Sequence, residues 1–170
     1  ACGDPPLAST LNFSPVTSST NLVTVRLNAS RKVCVYVQSP THLIVDLQGY
    51  YDTAITAGVT PVTPTRVIDT RASTPIVANG SIEVPIVGQA GVPAGATAVL
   101  VSLTSDRGQG SGYLTAWQCT GTRPVVSNVN YTLNTPSGNG AIVPLSPNGS
   151  ICIYSLLRSD VIVDVFGYVG

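Results

Sequence analysis

Two segments of this chain, LIVDLQGY (Leu43 to Tyr50) and VIVDVFGY (Val161 to Tyr168), set an aspartate at the same place in an apolar run and end on Gly-Tyr. The match extends backwards at one offset. Asp164 falls on Asp46, Gly167 on Gly49, Tyr154 on Tyr36 and Cys152 on Cys34, each 118 residues apart. Upstream, SNVNYT (Ser127 to Thr132) lies on STLNFS (Ser9 to Ser14), and Cys119 lies on Cys2 after a slip of one residue. A fixed period with the same punctuation in both copies is the signature of a repeat. The implied organisation is one and a half units. Residues 1–50 are a C-terminal half-unit, and residues 51–170 are a complete unit, with 51–118 its N-terminal half and 119–170 its C-terminal half.

Each half reads as short strands. Alternating apolar residues run around Asn21 to Leu27, Lys32 to Val37, His42 to Leu47, Ser81 to Ile86, Thr97 to Thr104 and Gly112 to Trp117. Turn signals separate them at Asn79-Gly80, Pro93 to Gly95, Gly108 to Gly112, Pro136 to Gly140 and Pro147 to Gly149. No segment keeps a helical period. Many short strands with frequent turns bury their faces by closing two sheets on one another, so the expected class is all-β, an antiparallel sandwich or jelly roll.

Composition agrees and narrows the function. The chain holds 16 Gly and 13 Pro, charged residues are 9% and the formal net charge is zero. Without a basic face, binding to nucleic acid or to an anionic bilayer is not expected. No apolar run reaches the roughly 20 residues of a membrane span, so membrane insertion is not expected either. Methionine is absent, and removal of a secretory signal before Ala1 is the simplest expectation for such a start.

Four cysteines occur as the same pair in both copies. Of three possible connectivities, duplication of a unit favours Cys2 with Cys34 and Cys119 with Cys152. Each bridge would close a loop worth about 3 kcal/mol in the loop-entropy view and suits an oxidising, extracellular setting. A zinc site is disfavoured, because there is no CxxC spacing and His42 is the single histidine. Calcium has no run of acidic ligands to support it. No metal or other cofactor is expected. Sequons at Asn12, Asn28, Asn79, Asn130 and Asn148 are what a chain rich in Ser and Thr produces by composition.

TPVTPTRVIDTRAS (Thr60 to Ser73), SGYLTAWQC (Ser111 to Cys119), SNVNYT, ICIY and DVIVDVFGYV together resemble a repeat of large secreted and cell-surface proteins of actinobacteria and related soil bacteria. That repeat opens on P-x-R-x-x-D-T-R, continues through G-Y-L-T and a cysteine pair, and closes on V-I-V-D-V-x-G-Y. The resemblance covers residue 60 to the end, and residues 1–50 match its second half. It implies a secreted β-rich module, serially repeated or appended to other domains, and carries no enzymatic activity.

The densest charged cluster is Arg66, Asp69 and Arg71. An arginine fork matches a planar acceptor in two bonds, so the cluster could grip a carboxylate or a sugar. The reading adopted is structural: a carboxylate inside an apolar strand needs a partner, and Arg66 or Arg71 is expected to lock Asp164, with Asp46 as its counterpart in the partial unit. If Asp46 has no arginine in its own chain, a neighbouring chain is expected to supply one. No catalytic residue is expected. His42 has no triad around it, Glu83 is the single glutamate, and Asp106 is placed in a loop, so paired carboxylates for glycoside chemistry are missing.

The expected function is therefore a secreted structural protein, a building block of an extracellular fibre, stalk or surface layer. Its expected partners are copies of itself, joined head to tail as residues 1–50 complete or stack on a neighbour. Internal packing of residues 1–50 against the rest of a monomer is the competing expectation. The alternative function is a carbohydrate-binding module presenting Trp117 and Tyr113 to a cell-surface glycan, an analogy at the level of fold.

Overall fold

A computed structural model of the chain describes every residue except Ala1, Pro6, Val16, Thr17 and Thr53. The expected processing point before Ala1 lies outside the described residues. The protein is all-β, with two four-stranded antiparallel sheets facing each other as a sandwich. Its strands are β1 (Val59–Asp69), β2 (Gly80–Pro85), β3 (Ala98–Asp106), β4 (Gly112–Gln118), β5 (Val129–Tyr131), β6 (Ser137–Pro144), β7 (Ser150–Ser155) and β8 (Asp160–Val169). One sheet has the order β1-β8-β3-β6 and the other β2-β7-β4-β5.

Alternation along the strands builds the core. Val99, Val101 and Leu103 of β3, Val143 of β6 and Val161, Val163 and Val165 of β8 meet Val84, Leu114, Val129, Ile151 and Ile153 of the other sheet, all buried. The motif-rich opening forms β1, an edge strand. Pro61 and Pro64 are compatible with that place, since proline has no N–H to give a ladder, and the register with β8 shifts between Pro61 and Thr65.

All six strand pairings, β1–β8, β2–β7, β3–β6, β3–β8, β4–β5 and β4–β7, join one strand from β1 to β4 with one from β5 to β8. In both sheets the two groups alternate strictly. Neither half of the unit contains a strand pair of its own.

That alternation explains a departure from the sequence reading. The strands expected around Asn21 to Leu27, Lys32 to Val37 and His42 to Leu47 do not form ladders. These segments correspond to β6, β7 and β8, whose ladder partners are β3, β4, β2 and β1, and residues 1–50 contain no counterpart of those four. Internal packing of residues 1–50 as half of a pseudo-symmetric monomer is likewise not what the structure has. The segment touches the unit mainly along the free edge of β6. There the Leu22 amide donates to Asn139 Oδ1 at 3.0 Å, and the Ile142 amide donates to Gln48 Oε1 at 2.9 Å.

Locally, however, residues 2–50 and 119–170 make the same bonds. Ser9 donates to Asn12 Oδ1 and Ser127 to Asn130 Oδ1, both at 2.8 Å. Asn21 Nδ2 donates to the Thr10 carbonyl at 2.6 Å, and Asn139 Nδ2 donates to the Asn128 carbonyl at 2.8 Å. The Lys32 amide donates to the Asn28 side chain at 2.9 Å, as the Ser150 amide does to Ser146 Oγ at 3.0 Å. The disulfides are Cys2–Cys34 and Cys119–Cys152, with Cα separations of 5.9 and 4.9 Å.

Candidate functional site

The β1–β8 register places Arg66 directly opposite Asp164. Arg66 Nε donates to Asp164 Oδ1 at 2.8 Å and Nη2 to Oδ2 at 3.0 Å, a two-bond fork. Its third nitrogen, Nη1, donates to Asp69 Oδ2 at 3.3 Å. Asp69 ends β1 and caps the single 3₁₀ turn Thr70–Ala72, accepting from the Arg71 amide at 3.1 Å. Arg71 returns over the same carboxylate, with Nε at 2.9 Å and Nη2 at 2.6 Å. The spacing R-x-x-D-T-R thus builds one knot: an arginine crossing to the neighbouring strand, a capping aspartate, and an arginine folded back by the turn.

These bonds set the charge states. Hydrogen bonding from Arg71 holds the Asp69 carboxyl well below the usual carboxylate range, against a smaller opposing effect of desolvation. The bond to Asp164 raises Arg66, and the bond to Asp69 raises Arg71. The Nε and Nη2 fork of Arg66 is committed to Asp164 within the protein.

Asp164 is not the buried carboxylate that the apolar run suggested. In β8 the side chains of Val161, Val163 and Val165 enter the core, so Asp164 stands on the outer face, with its side chain 30% exposed. The buried acid is Asp160, at the start of the same strand. Its Oδ1 accepts from the Thr70 hydroxyl at 3.1 Å, and Arg107 Nη1 lies 3.8 Å from Oδ2. Thr70 Oγ1 in turn accepts from the Val161 amide at 2.8 Å. Asp106 is the last residue of β3 rather than a loop residue, 3.6 Å from Arg71 Nη1. Sequence reading missed Thr70, Arg107 and Asp160 as members of this network; the only signal was the D-T-R turn that carries Thr70.

Asp46, the counterpart of Asp164, is exposed and makes no ion pair among the described residues. Exposed large apolar side chains surround it in the sequence. Val45 is 71% exposed where Val163 is 0%, and Leu47 is 84% exposed where Val165 is 0%. Val23, Val25, Leu27, Val33, Val35 and Leu43 are exposed in the same way, while their counterparts Ala141, Val143, Leu145, Ile151, Ile153 and Val161 are buried. The chain exposes 10630 Å² in all, where a compact monomer of 17.5 kDa exposes about 7,900 Å².

Tyr113 and Trp117 lie on the same face of β4, both partly exposed. Tyr113 packs on Tyr154 at 5.9 Å between ring centroids, and Arg123 stacks on Tyr154 at 3.8 Å. The depression lined by Val87, Ala94–Thr97, Gln118 and Pro144–Gly149 carries no titratable side chain. Among the described residues no cluster of His, Cys, Asp and Glu has the makings of a metal site, and no helix is long and apolar enough to cross a membrane. No family model matches the chain, and no curated protein is significantly similar to it.

Proposed function

We propose that the protein is a secreted structural module, a building block of an extracellular fibre, stalk or surface layer, joined to the next unit through residues 2–50. One observation carries this reading: the positions that form the core face in residues 119–170 are exposed at their counterparts in residues 2–50. Apolar surface of this extent marks an interaction site in a soluble protein, and unpaired strand edges are templates for strand addition. Two disulfides fit an oxidising, extracellular setting. The charged cluster supports the reading from the other side, because Arg66 ties β1 to β8 through Asp164 and Arg71 is bonded to Asp69.

Light scattering with negative-stain microscopy of the native protein tests this. Particles well above the 17.5 kDa of one chain that disappear when residues 1–50 are deleted are the expected result. A compact monomer with and without that segment would sink the proposal. The carbohydrate-binding reading rests on Tyr113 and Trp117 sharing a face of β4. It predicts retention of one sugar class on a glycan array that Trp117→Ala abolishes.

A further inference from the structure

We infer that residues 2–50 are an acceptor for one particular kind of partner: a further half-unit with the β1–β4 pattern, additional to residues 59–118, which would interleave with them as β1–β4 interleave with β5–β8. The inference rests on the proposed joining role of residues 2–50 and specifies what they join to.

The complete unit shows what covers this face. In it, β8 and β6 are separated by β3, with Leu103 opposite both Asn139 and Val163. Transferred at the repeat offset, a β3-like strand would lie between residues 19–26 and 42–51, with its Leu103 position opposite Asn21 and Val45. A β1-like strand would set its Arg66 position opposite Asp46, as Arg66 stands opposite Asp164. Asp46, which makes no ion pair among the described residues, is thus the aspartate that the partner's P-x-R-x-x-D-T-R arginine would take. The acceptor is already shaped for this. Its turns, side-chain bonds and disulfide repeat those of residues 119–170 although no ladder holds them.

A second copy of this chain does not meet the need. Residues 1–170 carry two halves of the β5–β8 kind and one of the β1–β4 kind, so exchange between two copies of them moves the vacancy without filling it. Copies can stack open faces or pair edge to edge, which is self-association without an interleaved half-unit. The occupant is therefore a half-unit beyond that one, recognised by its alternating apolar strands and its opening arginine.

The test is a chain in which a second copy of residues 51–118 precedes Ala1, followed by backbone hydrogen exchange. In the native chain the amides of 21–27, 33–37 and 42–47, which lie in no ladder, are expected to exchange fast. In the extended chain they are expected to slow by at least about 100-fold, and self-association is expected to fall. Arg66→Met in the added copy alone should give back part of that protection. A synthetic peptide of residues 97–107, added to the native chain, keeps the test independent of how the longer chain folds. Because β3 pairs with β6 and β8 only, the peptide should protect 21–27 and 42–47 and leave 33–37 exchanging.

Unchanged exchange in both experiments would overturn the inference. Particle size with and without residues 1–50 would still decide the joining role separately. Slow exchange of these amides in the native chain alone, at every concentration, would also overturn it, since the half-unit would then be satisfied without a partner.

Discussion

Arg31 and Gly149, 118 residues apart, stand at the same position of two matching turns. Their φ angles are 58° and 78°, and the amide of each donates at 2.8 Å to a carbonyl three residues back, Asn28 and Ser146 respectively. A β-carbon at Gly149 would lie 2.6 Å from Val87, whereas Arg31 has no such neighbour to meet, because residues 1–50 contain no counterpart of the strand region that brings Val87 in. Gly149→Ala is expected to cost about 1–3 kcal/mol from strain and overlap together. Arg31→Gly should stay within about 1 kcal/mol. Urea unfolding followed by circular dichroism measures both.

Val163 and Val45 make the same contrast in the core. Val163→Ala removes methyl groups from a sealed sandwich and is expected to cost about 2 kcal/mol. Val45→Ala, on the open face, should change stability by no more than about 0.5 kcal/mol. Equal effects would mean that residues 2–50 are packed in solution as the complete unit is.

Thr70 both donates to buried Asp160 and accepts from the Val161 amide. Thr70→Val keeps the shape and strands both partners, with an expected loss of about 2–4 kcal/mol. Thr70→Ser should recover most of it, and a thermal melt of the two variants side by side checks the claim.

The Asp69 carboxyl is depressed by its bonds from Arg71. In the unfolded chain it titrates near 4, so between there and its lower folded value the unfolded state binds more protons. Stability from this group is fully present above about pH 4 and is lost as the pH falls through the folded value. Asp69→Asn should flatten the fall in melting temperature below pH 4 and lower the melting temperature at pH 7. An unchanged acid limb would remove Asp69 from the account.

The two disulfides should separate in effect. Replacing Cys119 and Cys152 by serine opens a loop of sequence separation 33 inside the sandwich, at an expected cost of about 3 kcal/mol. The same change at Cys2 and Cys34 should leave the unfolding of residues 59–169 where it was. Differential scanning calorimetry distinguishes a shifted main transition from an unshifted one.

Patterns confined to one stretch of chain were legible in the sequence. The offset between Asp46 and Asp164, the alternation in β2, β3 and β4, and the all-β class all follow from local residues. What escaped depends on which strands become neighbours. Val23 to Leu27 alternates as well as β6 does, yet alternation describes a strand's two faces and says nothing about whether a partner is present at its edge. Asp164 looked buried because Ile162, also outside the core cluster, is covered as well, which makes β8 read as a continuous apolar run. Asp160 and Thr70 are 90 residues apart, and only the closing of β1 on β8 brings them together.

The strict alternation of halves also governs the order in which the chain can acquire structure. Strands β1 to β4 have no native pairings among themselves, and the first ladder, β4 with β5, has to wait for Val129. Made from the N-terminal side, residues 59–128 therefore emerge with no native strand pair to form, and the sandwich closes only when β8 arrives. Such long-range pairing folds slowly, on the order of milliseconds to seconds. The same delay leaves residues 59–128 without a native strand partner until β5 has been made.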